Sequence, residues 1–163
     1  MHFAEFTTSC FVDMDLDYLT ARWRNVRAGL LATIAKFRDE ELDFKPYAAA
    51  WSVRQLMLHI AHEEHGEFAY GIVQSLGEFP PEYDTRAFPT RAVINRLLDS
   101  VHAETLEFLN ELTDADLERV IATPWGASHR LVEMIDHLIE HEVHHRAELS
   151  LILGLLGREG FDA

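Results

Sequence analysis

The segment Glu140-His141-Glu142-Val143-His144-His145-Arg146 lies inside a long apolar helical run in the last third of the chain. His141 and His145 are four residues apart. On an α-helix that spacing leaves them only about 40° apart in rotation and about 6 Å apart along the axis, so both rings can reach one metal ion. Both also fall on the stripe Leu131, Met134, Leu138, His141, His145, Leu149 and Ile152. A polar ring on a buried stripe needs a partner, and a metal is a natural one. The competing reading of an isolated His-x-x-x-His pair is a solvated, histidine-rich face.

His59 strengthens the metal reading. It follows Leu56 at i+3 and stands at the edge of the apolar side of an earlier helix. Across a bundle interior it would face His141 and His145. Three imidazoles leave coordination positions for water or substrate, the pattern of a catalytic rather than a structural zinc site. The alternative for His59 is a core histidine satisfied by Glu63. His62, His65, His137 and His144 are expected to be solvated or hydrogen-bonded. His144 lies about 100° round the helix from His145 and cannot share its inward face. Glu63 and Glu142 are the carboxylates expected to orient the ligand rings through their free N–H groups. A ferritin-like dinuclear centre requires two Glu-x-x-His pairs, and only Glu142-x-x-His145 fits, so no such centre is expected.

Four helices must position these residues. Asp15 or Asp17 caps a first helix running to about Phe37, with Leu16, Leu19, Trp23, Val26, Leu30, Ile34 and Phe37 three and four residues apart. Ser52 or the residue before it opens a second helix reaching about Leu76, ended by Gly77 and the Pro80-Pro81 pair. Its apolar side includes Val53, Leu56, Met57, Ile60, Phe68 and Ile72. Thr90 caps a third helix, with Val93, Leu97, Val101, Leu106 and Leu109 inward. A short turn spans Asp114 to Glu118, and Val120 to Trp125 reads as a short extended piece broken by Pro124 and Gly126. Ser128 opens the last helix, which runs to about Leu156. The sum is an all-α four-helix bundle, a single domain over residues 1–163. There is no βαβ alternation and no glycine-rich phosphate loop.

Composition narrows the function. The 163 residues include 28 acidic and 14 basic side chains, a formal charge of −14. That field repels phosphate backbones and anionic lipid, so neither nucleic acid nor membrane is an expected partner. No run of about 18 apolar residues is present to span a bilayer. The opening stretch Met1-His2-Phe3-Ala4-Glu5-Phe6 lacks the basic and apolar regions of an export signal, which leads to an expected cytoplasmic location. Cys10 is the single cysteine, so an intrachain disulfide and a thiolate metal cluster are both excluded.

Two motifs in order, Trp51-Ser52-Val53-Arg54-Gln55-Leu56-Met57-Leu58-His59-Ile60 and His141-Glu142-Val143-His144-His145-Arg146-Ala147-Glu148-Leu149, resemble those of the DinB/YfiT-like metal-binding bundles. Glu41-Leu42-Asp43-Phe44-Lys45-Pro46 and Leu155-Leu156-Gly157-Arg158-Glu159-Gly160 look similar too. The resemblance implies a four-helix bundle with one divalent metal, Zn or Ni, on His59, His141 and His145. The usual His-Arg-Gly-Gln ending is here His145-Arg146-Ala147-Glu148, which adds a negative charge one turn beyond the site. Characterised relatives include thiol-dependent transferases, which implies a small-molecule substrate such as a low-molecular-weight thiol, with a metal-dependent hydrolase or a non-enzymatic metal-binding bundle as alternatives. Arg146 would either hold a substrate carboxylate or pair with Glu142. Apolar surface on the first helix, including Trp23 and Leu30, would support a homodimer.

Overall fold

Asp15 accepts a hydrogen bond from the Tyr18 backbone N–H and so starts helix α1, Leu16–Ala35. Its side-chain oxygen replaces the intrahelical acceptor that the first turn lacks. Helix α2, Val53–Gly66, is closed at its start by a reciprocal pair in which Ser52 Oγ accepts from Gln55 N–H and Gln55 accepts from Ser52 N–H. Thr90 caps α3, Arg91–Asn110, and α4 spans Leu131–Leu155. The computed structural model describes residues 14–160; the Met1–Phe6 stretch and Cys10, with the expectations attached to them, lie outside the described residues. α1 packs chiefly on α4, and α2 packs on α3 and α4, giving the expected four-helix bundle.

Two boundaries differ from the sequence expectation. The α2 ladder does not stay α-helical to Leu76 but widens into a π-helical turn over Glu67–Ile72 and stops at Gln74, whose φ is +56°. Gly71 lies in this turn under the Trp125 ring, where an added Cβ would come within 2.5 Å of the indole. Ser128 does not cap α4. Val120–Ala122 (β1) and Ser128–Arg130 (β2) pair as an antiparallel hairpin, Ile121 opposite His129. Arg130 is the capping residue instead, with Glu133 accepting its backbone N–H at 2.9 Å. The five-residue loop contains Gly126 at φ +89°, a left-handed conformation that glycine adopts without steric cost.

The apolar interior is in two parts. One gathers Leu30, Ile34, Met57, Ile60, Ile94, Leu98, Leu149 and Leu153. The other gathers Leu19, Trp23, Leu109, Leu131, Ile135, Leu138 and Ile139. A polar layer separates them, to which every helix contributes: Arg27 from α1, Glu64 from α2, His102 and Thr105 from α3, Glu142 and His145 from α4, all buried. Along α3 the deepest apolar side chains are Ile94 and Leu98, while Val93 and Leu97 flank them half-buried. Trp23 and Leu30 are 1% and 0% exposed. They are core residues, because α1 turns that face onto α4, and so they cannot form the dimer surface anticipated for them.

Candidate metal centre

The central turns of α2 and α4 bring His59, His141 and His145 together, with ligand-capable ring nitrogens all within 4.8 Å of one another. The Nε2 atoms point at a common centre: His141 Nε2 is 3.2 Å from His59 Nε2 and 3.1 Å from His145 Nε2. Three corners of a tetrahedron with metal–nitrogen bonds of about 2.0–2.1 Å lie about 3.3 Å apart. The two edges that meet at His141 therefore stand close to the spacing that one small divalent ion requires.

The tautomer of one ring is set by its surroundings. His145 Nδ1 lies 2.6 Å from Glu148 Oε2, three residues along α4. The carboxylate can only accept, so Nδ1 carries the hydrogen and the neutral ring presents its Nε2 lone pair to the centre. A carboxylate behind a ligating histidine is the usual outer support of a metal site. His59 Nδ1 looks toward Glu63 Oε1 at 3.7 Å, longer than a hydrogen bond. The Trp51 ring lies against two of the three imidazoles, with centroids 4.5 Å from His59 and 6.4 Å from His145.

All three histidines are held in the neutral form that a metal needs. Burial, followed by the His145 and His59 rings, pushes the His141 pKa down to about 3. Burial also lowers His59, with His145 adding to the effect and Glu63 opposing it. Burial lowers His145 as well, although Glu148 pulls the other way.

Glu142 takes no part in orienting these rings. Neighbouring positions on a helix diverge by about 100°, so Glu142 turns into the bundle while His141 turns to the site. There its Oε2 accepts from Trp23 Nε1 at 3.1 Å and pairs with the Arg27 guanidinium at 2.9 Å. Arg27 also binds Glu64, whose other oxygen is 2.9 Å from His102 Nδ1. Burial works against ionised Glu64, but His102 and Arg27 outweigh it and lower its pKa. Burial raises that of Glu142 despite Arg27. Sequence reasoning did not find this layer: Arg27, Glu64 and His102 carry no motif, and their only signal is a polar type at an inward position.

The remaining histidines go elsewhere. His62 Nε2 is 2.9 Å from the Pro80 carbonyl, and His137 lies 3.3 Å from Glu67. His144 is exposed, 3.8 Å from Glu148. Two further three-residue donor groups among the described residues, His59–His62–Glu63 and His144–His145–Glu148, each share one member with the triad. Arg146 does not pair with Glu142, which Arg27 occupies; its guanidinium lies over Gly29 of α1, where a Cβ would come within 2.4 Å of it. The upstream motif has a structural role. Asp43 holds Arg54 at 3.0 and 3.1 Å, and Arg54 N–H donates to the Leu42 carbonyl at 2.7 Å, which fixes the loop that presents Trp51.

A helical bundle carrying three converging imidazoles on two adjacent helices defines the class. The family profile of the DinB superfamily matches residues 22–149, and the chain belongs to that superfamily. It is similar to a protein of Geobacillus thermodenitrificans (strain NG80-2) provisionally named a metal-dependent hydrolase, with 26% identity over 160 residues, 90% of this chain and 87% of the relative. Among solved structures, a DinB-like protein from Bacillus cereus ATCC 10987 superposes with a TM-score of 0.77 at 17% identity, covering 93% of this chain and 99% of the other. YfiT from Bacillus subtilis superposes with a TM-score of 0.69 at 21% identity, covering 97% and 95%. YfiT is described as a metal-dependent hydrolase candidate with an unusual four-helix bundle topology. Among the described residues, no helix is long and apolar enough to cross a membrane.

Proposed function

We propose that this protein is a metal-dependent enzyme in which His59, His141 and His145 hold one divalent ion, Zn or Ni in type, and that its reaction is hydrolysis of a small molecule. The observation that carries this reading is the convergence of three Nε2 atoms at 3.1 and 3.2 Å, with the opposite nitrogen of His145 bound to Glu148. Purely structural zinc sites complete their own coordination with four protein ligands, whereas three leave a position open. When bound, such an ion acts as a Lewis acid and lowers the pKa of a small nucleophile at that position.

The chain's own residues supply the rest. The three rings stay neutral through burial and aim their lone pairs inward. Glu148 holds the His145 tautomer. Trp51 packs against the His59 and His145 rings. The names of the relatives favour water as the nucleophile. Transfer from a low-molecular-weight thiol, the finer expectation drawn from the family resemblance, would use the same open position, and the two part only at the nucleophile.

The test is metal loading followed by turnover. The zinc form should hydrolyse members of a panel of activated esters, amides and lactams, and a chelator or His145→Ala should abolish the activity. The cobalt form, titrated with small thiols, reports thiolate ligation by a sulfur-to-metal charge-transfer band. Chelator-sensitive consumption of a thiol with an electrophilic acceptor, in place of ester or amide hydrolysis, would make thiol transfer the reaction. Chelator-insensitive turnover, or no metal uptake, rejects the reading.

A further inference from the structure

A groove of about 600 Å³ runs beside the histidine triad. Tyr47, Trp51, Leu151, Ile152 and Leu155 line it, and Glu148 is its one charged lining residue. Its volume falls in the range of small-molecule sites. Four of its side chains are large apolar groups left open to solvent: Tyr47 at 69%, Leu151 at 65%, Leu155 at 58% and Trp51 at 42% exposure. Apolar groups gathered in this way mark a surface that meets a ligand or partner.

The triad histidines do not line the groove, but two of its walls touch them. Trp51 lines the groove and lies 4.5 Å from the His59 ring. Glu148 lines the groove and holds His145 at 2.6 Å. A molecule whose reacting group reaches the triad can therefore lay the rest of its body along α4 over Leu151 and Leu155. The backbone on either side of Trp51 is held by the Asp43–Arg54 pair and by the Ser52 cap of α2. No lysine or arginine lines it, so an anionic group placed there would lose hydration without gaining a partner.

We infer that this groove binds the body of the substrate, and that the substrate carries an aliphatic or aromatic body without an anionic group, attached to the head that reaches the triad. The inference rests on the metal-dependent reading above for the head, and on the groove alone for the body. The contacts of Trp51 and Glu148 with the triad favour a small molecule over a second copy of the chain, which would have to seat its surface against the metal centre itself.

Zinc-binding hydroxamates test this with the zinc-loaded full chain. Octanohydroxamate should bind at least about tenfold more tightly than acetohydroxamate, because the added methylenes leave water. Suberic monohydroxamate, of the same length but ending in a carboxylate, should lose most of that gain. Leu151→Asp, a change at an exposed position, should remove the gain and leave acetohydroxamate affinity unchanged. The neutral dye N-phenyl-1-naphthylamine reads the groove without metal: its fluorescence should rise with the metal-free protein and not with Leu151→Asp. Zinc that fails to bind while the dye result holds counts against the metal reading and leaves the groove assignment standing. Zinc and acetohydroxamate binding with no dependence on tail length, and no dye response, overturns the groove assignment. A dimer that Leu151→Asp converts to monomer in sedimentation also overturns it, since the face would then belong to an interface between copies.

Discussion

Glu148 Oε2 lies 2.6 Å from His145 Nδ1, so a carboxylate one helical turn beyond the site determines which nitrogen of His145 faces His59 and His141. Outer carboxylates of this kind typically account for about 10- to 100-fold in metal affinity. Glu148→Ala should weaken zinc binding by that order in competition with a chromogenic chelator. Glu148→Gln, which keeps an acceptor oxygen, should lose less. Equal affinity in the wild type and Glu148→Ala would show that the bond does not support the site.

His144 and His145 are adjacent in sequence but occupy opposite environments, the first 68% exposed at its side chain and the second 9%. His144→Ala should retain one zinc per chain, whereas His145→Ala, His141→Ala and His59→Ala should each lose most of it. Elemental analysis after dialysis measures this directly. Loss of zinc in His144→Ala to the same extent as in His145→Ala would refute the ligand set.

The pH dependence has a definite sign. His59, His141 and His145 all have lowered pKa values in the fold, that of His141 about 3, while the unfolded chain takes up protons near about 6.5. Below that pH the unfolded state binds more protons than the folded state, so stability falls as the pH falls. The metal-free protein should lose thermal stability from pH 6.5 downward, an effect present in full only when the pH approaches the folded values. Zinc should raise the melting temperature above pH 6.5, and the gap should close as protons displace the metal. Scans between pH 8 and pH 5 suffice. A metal-free melting temperature that is flat across this interval, with the same slope in His141→Ala, would contradict the assignment.

The Arg27–Glu64–Glu142 group is a structural device of the interior. Removing one partner of a buried charge network costs about 3–5 kcal/mol, because the other charges remain buried without compensation. Arg27→Ala should destabilise the fold by that order in urea denaturation, with zinc stoichiometry per folded chain unchanged. Arg27→Met together with Glu64→Gln and Glu142→Gln should recover much of the loss. A destabilisation below about 1 kcal/mol for Arg27→Ala alone, the scale of an exposed pair, would mean that the layer is hydrated in solution.

The helices and the His141–His145 pair were legible from spacing, while His59 was joined to them through the resemblance to DinB/YfiT-like bundles. The 3.6-residue apolar period located α1, α2, α3 and α4, and Thr90 was readable as a cap because short polar side chains satisfy N–H groups that any helix start exposes, while the structure chose Asp15 over Asp17 and Ser52 over the residue before it. His141 and His145 share a face because four residues make about one turn. Three features depended on the tertiary structure. The π-helical end of α2 places Gly71 under Trp125, a contact between residues far apart in the chain. The β1–β2 hairpin displaced Ser128 from the cap of α4, because a strand pairing takes up the backbone groups that a cap would otherwise serve. The orienting carboxylate is Glu148 rather than Glu142, since rotation of α4 against α1 turns Glu142 to Arg27 and Trp23. Periodicity determines which residues share a face of one helix; which neighbour that face meets is decided only when the helices pack.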